Sequence, residues 1–145
     1  MSYRFTTSLP YLLNRVGVRM GEIFLERLHE HGLTLPMYRV LAVLKQEGKQ
    51  SLGDLSQMVS VELSTLSRLI GSMKSQGLVS RIRLEDNARM VHIDLTAQGY
   101  ELIERLMPIA AEFEAAGTAS FTDAEVEWLK YALIQMGENF EKLNK

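Results

Sequence analysis

The sequence contains no cysteine in its 145 residues. This absence excludes disulfide bonds, thiolate metal sites and peroxide sensing through a thiol. No apolar run approaches the roughly 20 residues that a membrane-spanning helix needs. Residues 1–10 also lack the basic segment and apolar core of a secretory signal. We therefore expect a cytoplasmic protein with no membrane partner.

The motifs that assemble enzyme active sites are missing as well. The sequence has no Gly-rich phosphate loop, no HExxH zinc motif and no serine in a G-x-S-x-G setting. We therefore predict that the chain is not an enzyme and carries no cofactor. With 46% hydrophobic and 23% charged residues, 145 residues are enough for one packed core. A single domain over residues 1–145 is expected.

Positive charges do not outnumber negative ones overall, since the formal net charge is −2. It is also unevenly distributed. Residues 1–97 carry 12 Lys and Arg against 9 Asp and Glu, whereas residues 98–145 carry 4 against 9. A weakly acidic protein can still bind DNA when its cations share one surface, because phosphate contacts act within a Debye length of about 8–10 Å. The candidate cations are Arg68, Lys74, Arg81, Arg83 and Arg89.

The segment 51–80 predicts two short helices joined by a tight turn and followed by a strand. Ser51 is suited to cap the first helix and Ser60 the second, because a serine hydroxyl can accept a hydrogen bond from a free backbone N–H group. The inward residues repeat at helical spacing, namely Leu52, Leu55 and Val59 in the first helix and Leu66, Leu69, Ile70 and Met73 in the second. The outward face of the second helix consists of Ser64, Thr65, Ser67 and Arg68. Small hydroxyl side chains with one long cation suit the major groove of DNA.

Further helices are predicted on both sides of this segment. Thr34 can cap a helix that has Pro36 in its first turn and ends at Gly48. The two ends of the chain carry apolar residues at alternating intervals of four and three, a spacing typical of a packing seam. The seams are Leu9, Leu13, Val16, Met20 and Ile23 in the first helix and Leu129, Leu133, Met136, Phe140 and Leu143 in the last.

A β-hairpin and a long helix are predicted after the helix-turn-helix. Residues 79–84 and 90–95 alternate in character and flank a polar tip at 85–89. Thr96 can cap a long helix, in which Pro108 should produce a bend or a break. Thr122 and Glu125 are spaced as a capping box for the last helix. The predicted fold class is mainly α with a small β-hairpin wing.

The order of these elements and three motifs resemble the MarR family of bacterial transcriptional regulators. The motifs are STLSRLI at 64–70, QGLVSR at 76–81, and the Asn-Ala-Arg of 87–89 leading into VHIDLT at 91–96. They are similar to the family's recognition helix, the entry to its first wing strand, and its wing. The resemblance covers nearly the whole chain. It implies a winged helix-turn-helix lobe over residues 34–95, with dimerisation helices over 5–31 and 96–145.

The resemblance also implies a function and its partners. The chain should be a homodimeric, sequence-specific regulator of transcription, expected to act as a repressor that a small molecule relieves. Its DNA partner should be a pseudo-palindromic, double-stranded operator. Together with the candidate cations, the resemblance gives Ser64, Thr65, Ser67, Arg68, Lys74, Arg83 and Arg89 as DNA contacts. Among these, Arg89 is expected at the wing tip, in the minor groove.

Two places depart from the family pattern. Asn87 replaces the aspartate that commonly steadies the wing arginine, although Asp86 can take over that role. Gly71 and Ser72 stand where a charged pair is common, and glycine inside a helix costs roughly 1 kcal/mol relative to alanine. We therefore expect the second half of this helix to contribute less to phosphate binding than in its relatives.

Members of the family typically bind effectors between the dimerisation helices and the DNA-binding lobe. The resemblance places seven residues in this crevice: Tyr11, Arg15, Arg19, Phe24, Met37, Tyr38 and Met107. Aromatic and thioether side chains with a few cations suit a planar anion such as an aromatic carboxylate. The alternative is that these residues fill a core and that the arginines form ion pairs.

A metal-responsive regulator of the same fold is a second hypothesis. His29, Glu30 and His31 cluster near the end of the first helix, and His92 lies in the second wing strand. Two histidines at i and i+2 do not share a helix face, however, and a zinc site without cysteine would need further ligands. A non-catalytic protein-interaction module is a third hypothesis.

Three of the candidate cations also have structural interpretations. Arg81 can pair with a carboxylate at the base of the hairpin instead of contacting DNA, and Arg83 has the same two interpretations. Lys74 can be a solvated lysine on a helix face, as most surface lysines are. All three assignments stay open on the sequence alone.

Overall fold

The computed structural model describes residues 2–83 and 90–144, and most of them are helical. In chain order the elements are α1 (Leu9–His29), α2 (Leu35–Glu47), β1 (Gln50–Ser51), α3 (Leu52–Val59), α4 (Leu63–Ser75), β2 (Val79–Arg83), β3 (Val91–Leu95), α5 (Ala97–Gly117) and α6 (Asp123–Leu143), with a short 3-10 turn, Phe5–Thr7, before α1. The prediction of a mainly α fold with a small β-hairpin is confirmed. Within the described residues, no helix combines the length and apolar character needed to cross a membrane.

The predicted capping residues start four of these helices. The hydroxyl oxygens of Thr34, Ser51 and Thr96 each accept a hydrogen bond from the backbone N–H three residues later, at 3.0–3.4 Å. Thr122 and Glu125 form the predicted capping box at the start of α6. These caps satisfy N–H groups that have no partner inside the helix, so the starts of α2, α3, α5 and α6 follow from local sequence.

The predicted cap of α4 is wrong. Ser60 does not precede α4 directly; it ends α3 in the left-handed backbone conformation, at φ 56° and ψ 44°. The N–H of Val61 then bonds to the Ser56 carbonyl oxygen at 3.2 Å, which closes the turn. Glu62 occupies the N-cap position of α4 instead. Ser60 is therefore needed for the turn and cannot serve the next helix.

Of the two outcomes predicted at Pro108, a break is wrong, whereas a bend stays a prediction. α5 runs as one helix from Ala97 to Gly117, with Pro108 inside it. A proline in a helix lacks the N–H that would bond to the carbonyl four residues earlier, here that of Glu104. α5 tolerates this loss, and buried Ile103 and Leu106 anchor the turns just before it.

The small sheet has three antiparallel strands in the order β1-β3-β2. β2 pairs with β3 along all five residues of each strand, as the predicted hairpin requires. On the other edge of β3, Gln50 pairs with Ile93 and Ser51 with His92. The sequence did not predict β1, because two residues are too few for an alternating pattern. This extra pairing attaches the hairpin to the start of α3.

Residues 1–110 form one compact unit whose core lies beneath the helix-turn-helix. The fully buried side chains come from its helices, from β3 and, for Leu33, from the connection between α1 and α2; they are Leu28, Leu33, Val40, Leu41, Leu44, Leu55, Leu66, Ile70, Met73, Ile93, Ile103 and Leu106. Complete burial of a large aliphatic side chain stabilises the fold by about 1.5–3 kcal/mol. The inward residues predicted for α3 and α4 thus hold both helices in place, although Leu52 and Leu69 are only half-buried.

The start of α5 packs tightly against the turn between α4 and β2. The Thr96 hydroxyl donates a hydrogen bond to the Gly77 carbonyl oxygen at 2.6 Å. A Cβ atom on Gly99 would overlap the Leu78 carbonyl oxygen, so only glycine permits this close approach. The position of α4 relative to the start of α5 is therefore tightly constrained.

Residues 111–145 form a second compact unit, which contains the end of α5 and all of α6. No described side chain of α6 is buried. Its seam residues Leu129, Leu133, Phe140 and Leu143 are 40–76% exposed, and Trp128 is 67% exposed. An ion pair of 2.7 Å joins Lys130 to Glu114. The apolar face of α6 is therefore left partly exposed.

Candidate DNA-binding surface

The outward face of α4 carries the predicted base-reading residues. Ser64, Thr65 and Arg68 are exposed and Ser67 is half-buried, whereas Leu66, Ile70 and Met73 on the opposite face are buried. The helical spacing of apolar residues separates the two faces, as predicted. The buried face fixes the helix, and the outward face is left free to enter a groove.

Glu62 is a member of this surface that the sequence analysis missed. Its carboxylate accepts hydrogen bonds from two predicted DNA contacts, the hydroxyl of Ser64 at 2.7 Å and the hydroxyl of Thr65 at 3.4 Å. The signal was present in the sequence, as a carboxylate two and three residues before a pair of hydroxyls. Because the sequence predicts Ser60 as the cap of α4, it leaves this carboxylate without a role.

Arg81 connects the wing to the recognition helix. Its guanidinium, on β2, donates a hydrogen bond from Nη2 to the Ser67 carbonyl oxygen at 2.9 Å. Gly71, one turn after Ser67, has Arg81 Nη2 as the nearest side-chain atom to its missing Cβ, at 3.8 Å. Arg81 thus has a structural role, and within the described residues its hydrogen-bond partner is a backbone carbonyl rather than the predicted carboxylate.

The remaining predicted DNA contacts are spread over α4 and the wing. Lys74 is exposed in the last turn of α4, and Arg83 is exposed at the end of β2. Arg89, together with Asp86 and Asn87, lies outside the described residues. The surface therefore contains Arg68, Lys74 and Arg83 as candidate cations on two adjoining elements.

An ion pair joins α2 to α5. Lys45 Nζ, at the end of α2, lies 2.7 Å from Glu104 Oε1. The hydrogen bond from Lys45, followed by one from Tyr100, lowers the pKa of the Glu104 carboxyl below its usual value. The Lys45 ammonium also lies 5.9 Å from the centre of the Tyr100 ring. These three side chains link α2 to α5 electrostatically.

The predicted effector residues fall into two groups along α1. At its start, Arg15 Nη1 donates to the Tyr11 hydroxyl oxygen at 3.2 Å and its guanidinium lies 5.8 Å from the ring centre. At its end, the Phe24 ring contacts the Tyr38 ring at a centroid distance of 4.8 Å. Phe24 lies thirteen positions after Tyr11 in the helix, a rise of about 20 Å. A small ligand on one protomer cannot contact both groups.

The other three predicted effector residues vary in exposure. Met37 is buried in the core, Met107 is half-buried, and Arg19 is exposed and bonded to Glu22 at 3.3 Å. Burial raises the pKa of the Tyr38 hydroxyl above its usual value. Within one chain, Met37 therefore fills the core and Arg19 forms an ion pair, as the alternative interpretation of these residues predicts.

Two open cavities in the unit formed by residues 1–110 are lined by other residues. The first, of about 220 Å³, is lined by His31, Gln76, Leu78, Gln98, Leu102 and Arg105. The second, of about 230 Å³, is lined by Ala42, Val43, Gln46, Glu47 and Met58. Over residues 2–83 and 90–144, no three His, Asp or Glu side chains are grouped so that they could hold a metal ion.

Comparisons with known proteins identify the chain as a regulator of transcription. The family of SarA/Rot transcriptional regulators matches residues 22–106, which is more than half of the chain. The HTH-type transcriptional repressor IacR of Pseudomonas putida is 29% identical over 133 residues, which cover 92% of this chain and 80% of that repressor.

Solved structures give the same fold. BpsR of Bordetella bronchiseptica, whose DNA binding is regulated by 6-hydroxynicotinic acid, superposes with a TM-score of 0.83 at 26% identity, covering 94% of this chain and 98% of BpsR. A mutant MarR of E. coli complexed with operator DNA has a TM-score of 0.79 at 24% identity, covering 93% of this chain and 99% of that one. The resemblance to MarR that the motifs indicated is confirmed. The chain therefore belongs to the SarA/Rot family of transcriptional regulators and has the winged-helix fold of the MarR regulators.

Proposed function

We propose that this regulator is a homodimer that represses transcription by binding a pseudo-palindromic operator, and that a small planar anion relieves the repression. The observation that carries the DNA-binding part is the two-faced character of α4. One face is buried in the core, and the other exposes hydroxyl side chains and Arg68. A helix held in this way can enter a major groove without losing its packing.

The DNA contacts divide into two classes. Ser64, Thr65, Ser67 and Arg68 approach base edges in the major groove and determine the sequence that is bound. Lys74, Arg83 and Arg89 form the second class. Lys74 and Arg83 neutralise phosphates of the DNA backbone, and Arg89 enters the minor groove from the wing. Phosphate contacts supply affinity but no discrimination, so this division can be tested residue by residue.

Dimerisation is supported by the exposed apolar residues of the terminal helices. In α1 the seam residues Leu9, Leu13, Val16, Met20 and Ile23 are 38–60% exposed. The seam of α6 is exposed to a similar degree within the same chain. Large contiguous apolar surfaces are uncommon on monomers, and a two-fold axis would let the same helices cover each other. The two recognition helices would then meet half-sites about 34–36 Å apart.

Repression and its relief are supported by two relatives. IacR is named a transcriptional repressor, and the DNA binding of BpsR is regulated by 6-hydroxynicotinic acid, a planar aromatic acid. In a dimer, the start of α1 from one protomer can approach the lobe of its partner. We assign Tyr11, Arg15, Arg19, Phe24, Met37, Tyr38 and Met107 to an effector site that both protomers form. The regulator would act in the cytoplasm.

A titration of the purified protein against labelled genomic fragments tests this function. Fluorescence anisotropy should detect a fragment that binds at least roughly 1,000-fold more tightly than a scrambled duplex of equal length. Binding to the specific fragment should weaken linearly on a logarithmic salt scale. If every fragment bound no better than scrambled DNA, the chain would be better described as a protein-interaction module.

A further inference from the structure

Glu62 places a carboxylate at the edge of the DNA-reading face of α4. At this position a side-chain oxygen commonly accepts a hydrogen bond from a backbone N–H group of the first turn. The Glu62 side chain makes no such capping bond. It accepts hydrogen bonds from the Ser64 and Thr65 hydroxyls instead. Among the residues that the structure describes, no Lys, Arg or His forms an ion pair with it. Within that part of the chain, no cation neutralises its charge.

The two hydrogen bonds determine what the hydroxyls can offer to a base. A serine or threonine hydroxyl has one hydrogen to donate and two lone pairs that accept. The Ser64 hydrogen points at Glu62 over 2.7 Å, and the Thr65 hydrogen does so over a longer 3.4 Å. Only lone pairs then remain on the outer side of each oxygen. Glu62, Ser64 and Thr65 together form a cluster that accepts hydrogen bonds and donates none.

The four bases differ in their response to such a cluster. In the major groove cytosine presents only the N4 amino donor, whereas guanine presents two acceptors, O6 and N7. Adenine presents a donor beside an acceptor, and thymine presents an acceptor and a methyl group. An acceptor-only cluster is therefore attracted to cytosine and repelled by guanine. Adenine is intermediate, because its N7 faces the carboxylate.

From this pattern we infer that Glu62 is a specificity-determining residue, which reads the N4 amino group of a cytosine in each half-site of the operator. The inference rests on the proposed DNA-binding function and adds a base preference to it. Arg68 lies six residues further along α4, a rise of about 9 Å. With base pairs spaced about 3.4 Å apart, the cytosine should lie within roughly three base pairs of the guanine that Arg68 reads.

Glu62→Gln provides the sharpest test, because glutamine has nearly the same shape but recognises adenine through N6 and N7. The experiment uses the full chain on its preferred operator and on operators in which each base pair is replaced in turn. The wild-type protein should prefer C over G at one symmetry-related position by roughly 5- to 100-fold. Glu62→Gln should lose that preference and favour A at the same position. Glu62→Ala should lose the preference without gaining another.

Two controls separate this role from a general effect. Glu101→Gln makes the same chemical change on the exposed surface of α5 and should leave the base preferences of the wild type unchanged. Thermal unfolding of each variant establishes that the folded protein is compared. If Glu62→Gln keeps the wild-type preference at every position, the role of Glu62 is overturned while DNA binding stands. If the wild-type protein discriminates no operator from scrambled DNA, the proposed function fails and the inference fails with it.

Discussion

The Arg81 guanidinium donates a hydrogen bond to the Ser67 carbonyl oxygen, 2.9 Å away. This bond joins β2 of the wing to the middle of the recognition helix α4. The two elements are separated by a turn in the chain, so their relative position depends on contacts of this kind. Because the wing and the helix must engage one duplex together, their spacing affects DNA binding directly.

Arg81→Ala should therefore weaken DNA binding more than it weakens the fold. Loss of one exposed hydrogen bond should lower the free energy of unfolding by only about 0.5–1.5 kcal/mol. The specific DNA affinity should fall further, because α4 and the wing no longer hold a fixed spacing. Urea unfolding and anisotropy measure the two effects. Arg39→Ala, an exposed substitution on α2, is the control, and an equal loss of DNA affinity in both variants would contradict the coupling.

Arg68→Ala and Lys74→Ala should have different effects on DNA binding. Removing a bidentate contact to guanine should cost roughly 1–3 kcal/mol at particular base pairs and reduce discrimination there. Removing a phosphate contact at Lys74 should weaken specific and scrambled duplexes alike and lower the slope of the salt dependence by about 1. Salt titrations on both duplexes measure these quantities. An unchanged ratio of specific to scrambled affinity in Arg68→Ala would show that α4 does not read bases through this residue.

Leu133→Glu should dissociate the dimer and leave a folded monomer. Leu133 is 40% exposed in the single chain, so a glutamate there can be solvated when the partner is absent. In the dimer the same charge would be buried, which should raise the dimer dissociation constant by at least roughly 100-fold. Sedimentation equilibrium measures the change, with Lys142→Glu on the same helix as the control. A wild-type protein that sediments as a folded monomer at micromolar concentration would exclude the dimer altogether.

The Lys45–Glu104 pair predicts a dependence of stability on pH. Its hydrogen bonds lower the pKa of Glu104 below the usual 4.5, so the pair stabilises the folded protein above that pH. The stabilisation is lost as the pH falls through the lowered pKa and the carboxylate becomes protonated. Melting temperatures of the wild type and Glu104→Gln should differ near neutral pH and converge in acid. Glu112→Gln, exposed on the same helix, is the control and should show no such convergence. A difference in melting temperature between the wild type and Glu104→Gln that persists in strong acid would contradict the assignment.

The sequence predicted those parts of the fold that local signals determine. Helix starts at Thr34, Ser51 and Thr122 depend on hydrogen bonds within four residues, so their motifs were sufficient. The alternation of buried and exposed positions in α4 followed from its spacing for the same reason. The order of the elements, with the three motifs, indicated the resemblance to MarR, and the resemblance then gave the role of the elements.

What the sequence did not predict depends on contacts between distant residues or on competition for one residue. β1 exists because Gln50 and Ser51 pair with residues about 40 positions later in β3. Ser60 could either end α3 or cap α4, and in the structure it forms the turn that ends α3. The bond from Arg81 to Ser67 likewise requires a known position of β2 beside α4. No local sequence pattern predicts contacts of this kind.

Arg15→Ala should reduce the extent to which an effector lowers DNA affinity, and it should leave DNA binding without effector unchanged. Arg15 lies on the exposed face of α1, far in sequence from α4, and is held by the Tyr11 hydroxyl at 3.2 Å. A planar aromatic acid that binds there would have to prefer a spacing of the two lobes that DNA does not accept. It would lower DNA affinity in proportion to that preference, and DNA would lower the affinity for the acid by the same factor. Arg19→Ala should have a similar but smaller effect, because Arg19 is already bonded to Glu22.

Calorimetry of a panel of aromatic carboxylates, with 6-hydroxynicotinic acid among them, measures this coupling on the free dimer and on the dimer saturated with operator. The two affinities of each acid should differ by the factor by which that acid weakens DNA binding. Arg27→Ala, further along α1 and bonded only weakly to Glu30 at 4.0 Å, serves as the control and should respond like the wild type. Failure of every acid to bind, or binding that leaves DNA affinity unchanged, would refute the switch. Neither result would affect DNA recognition by α4, because that recognition depends on a different face of the protein.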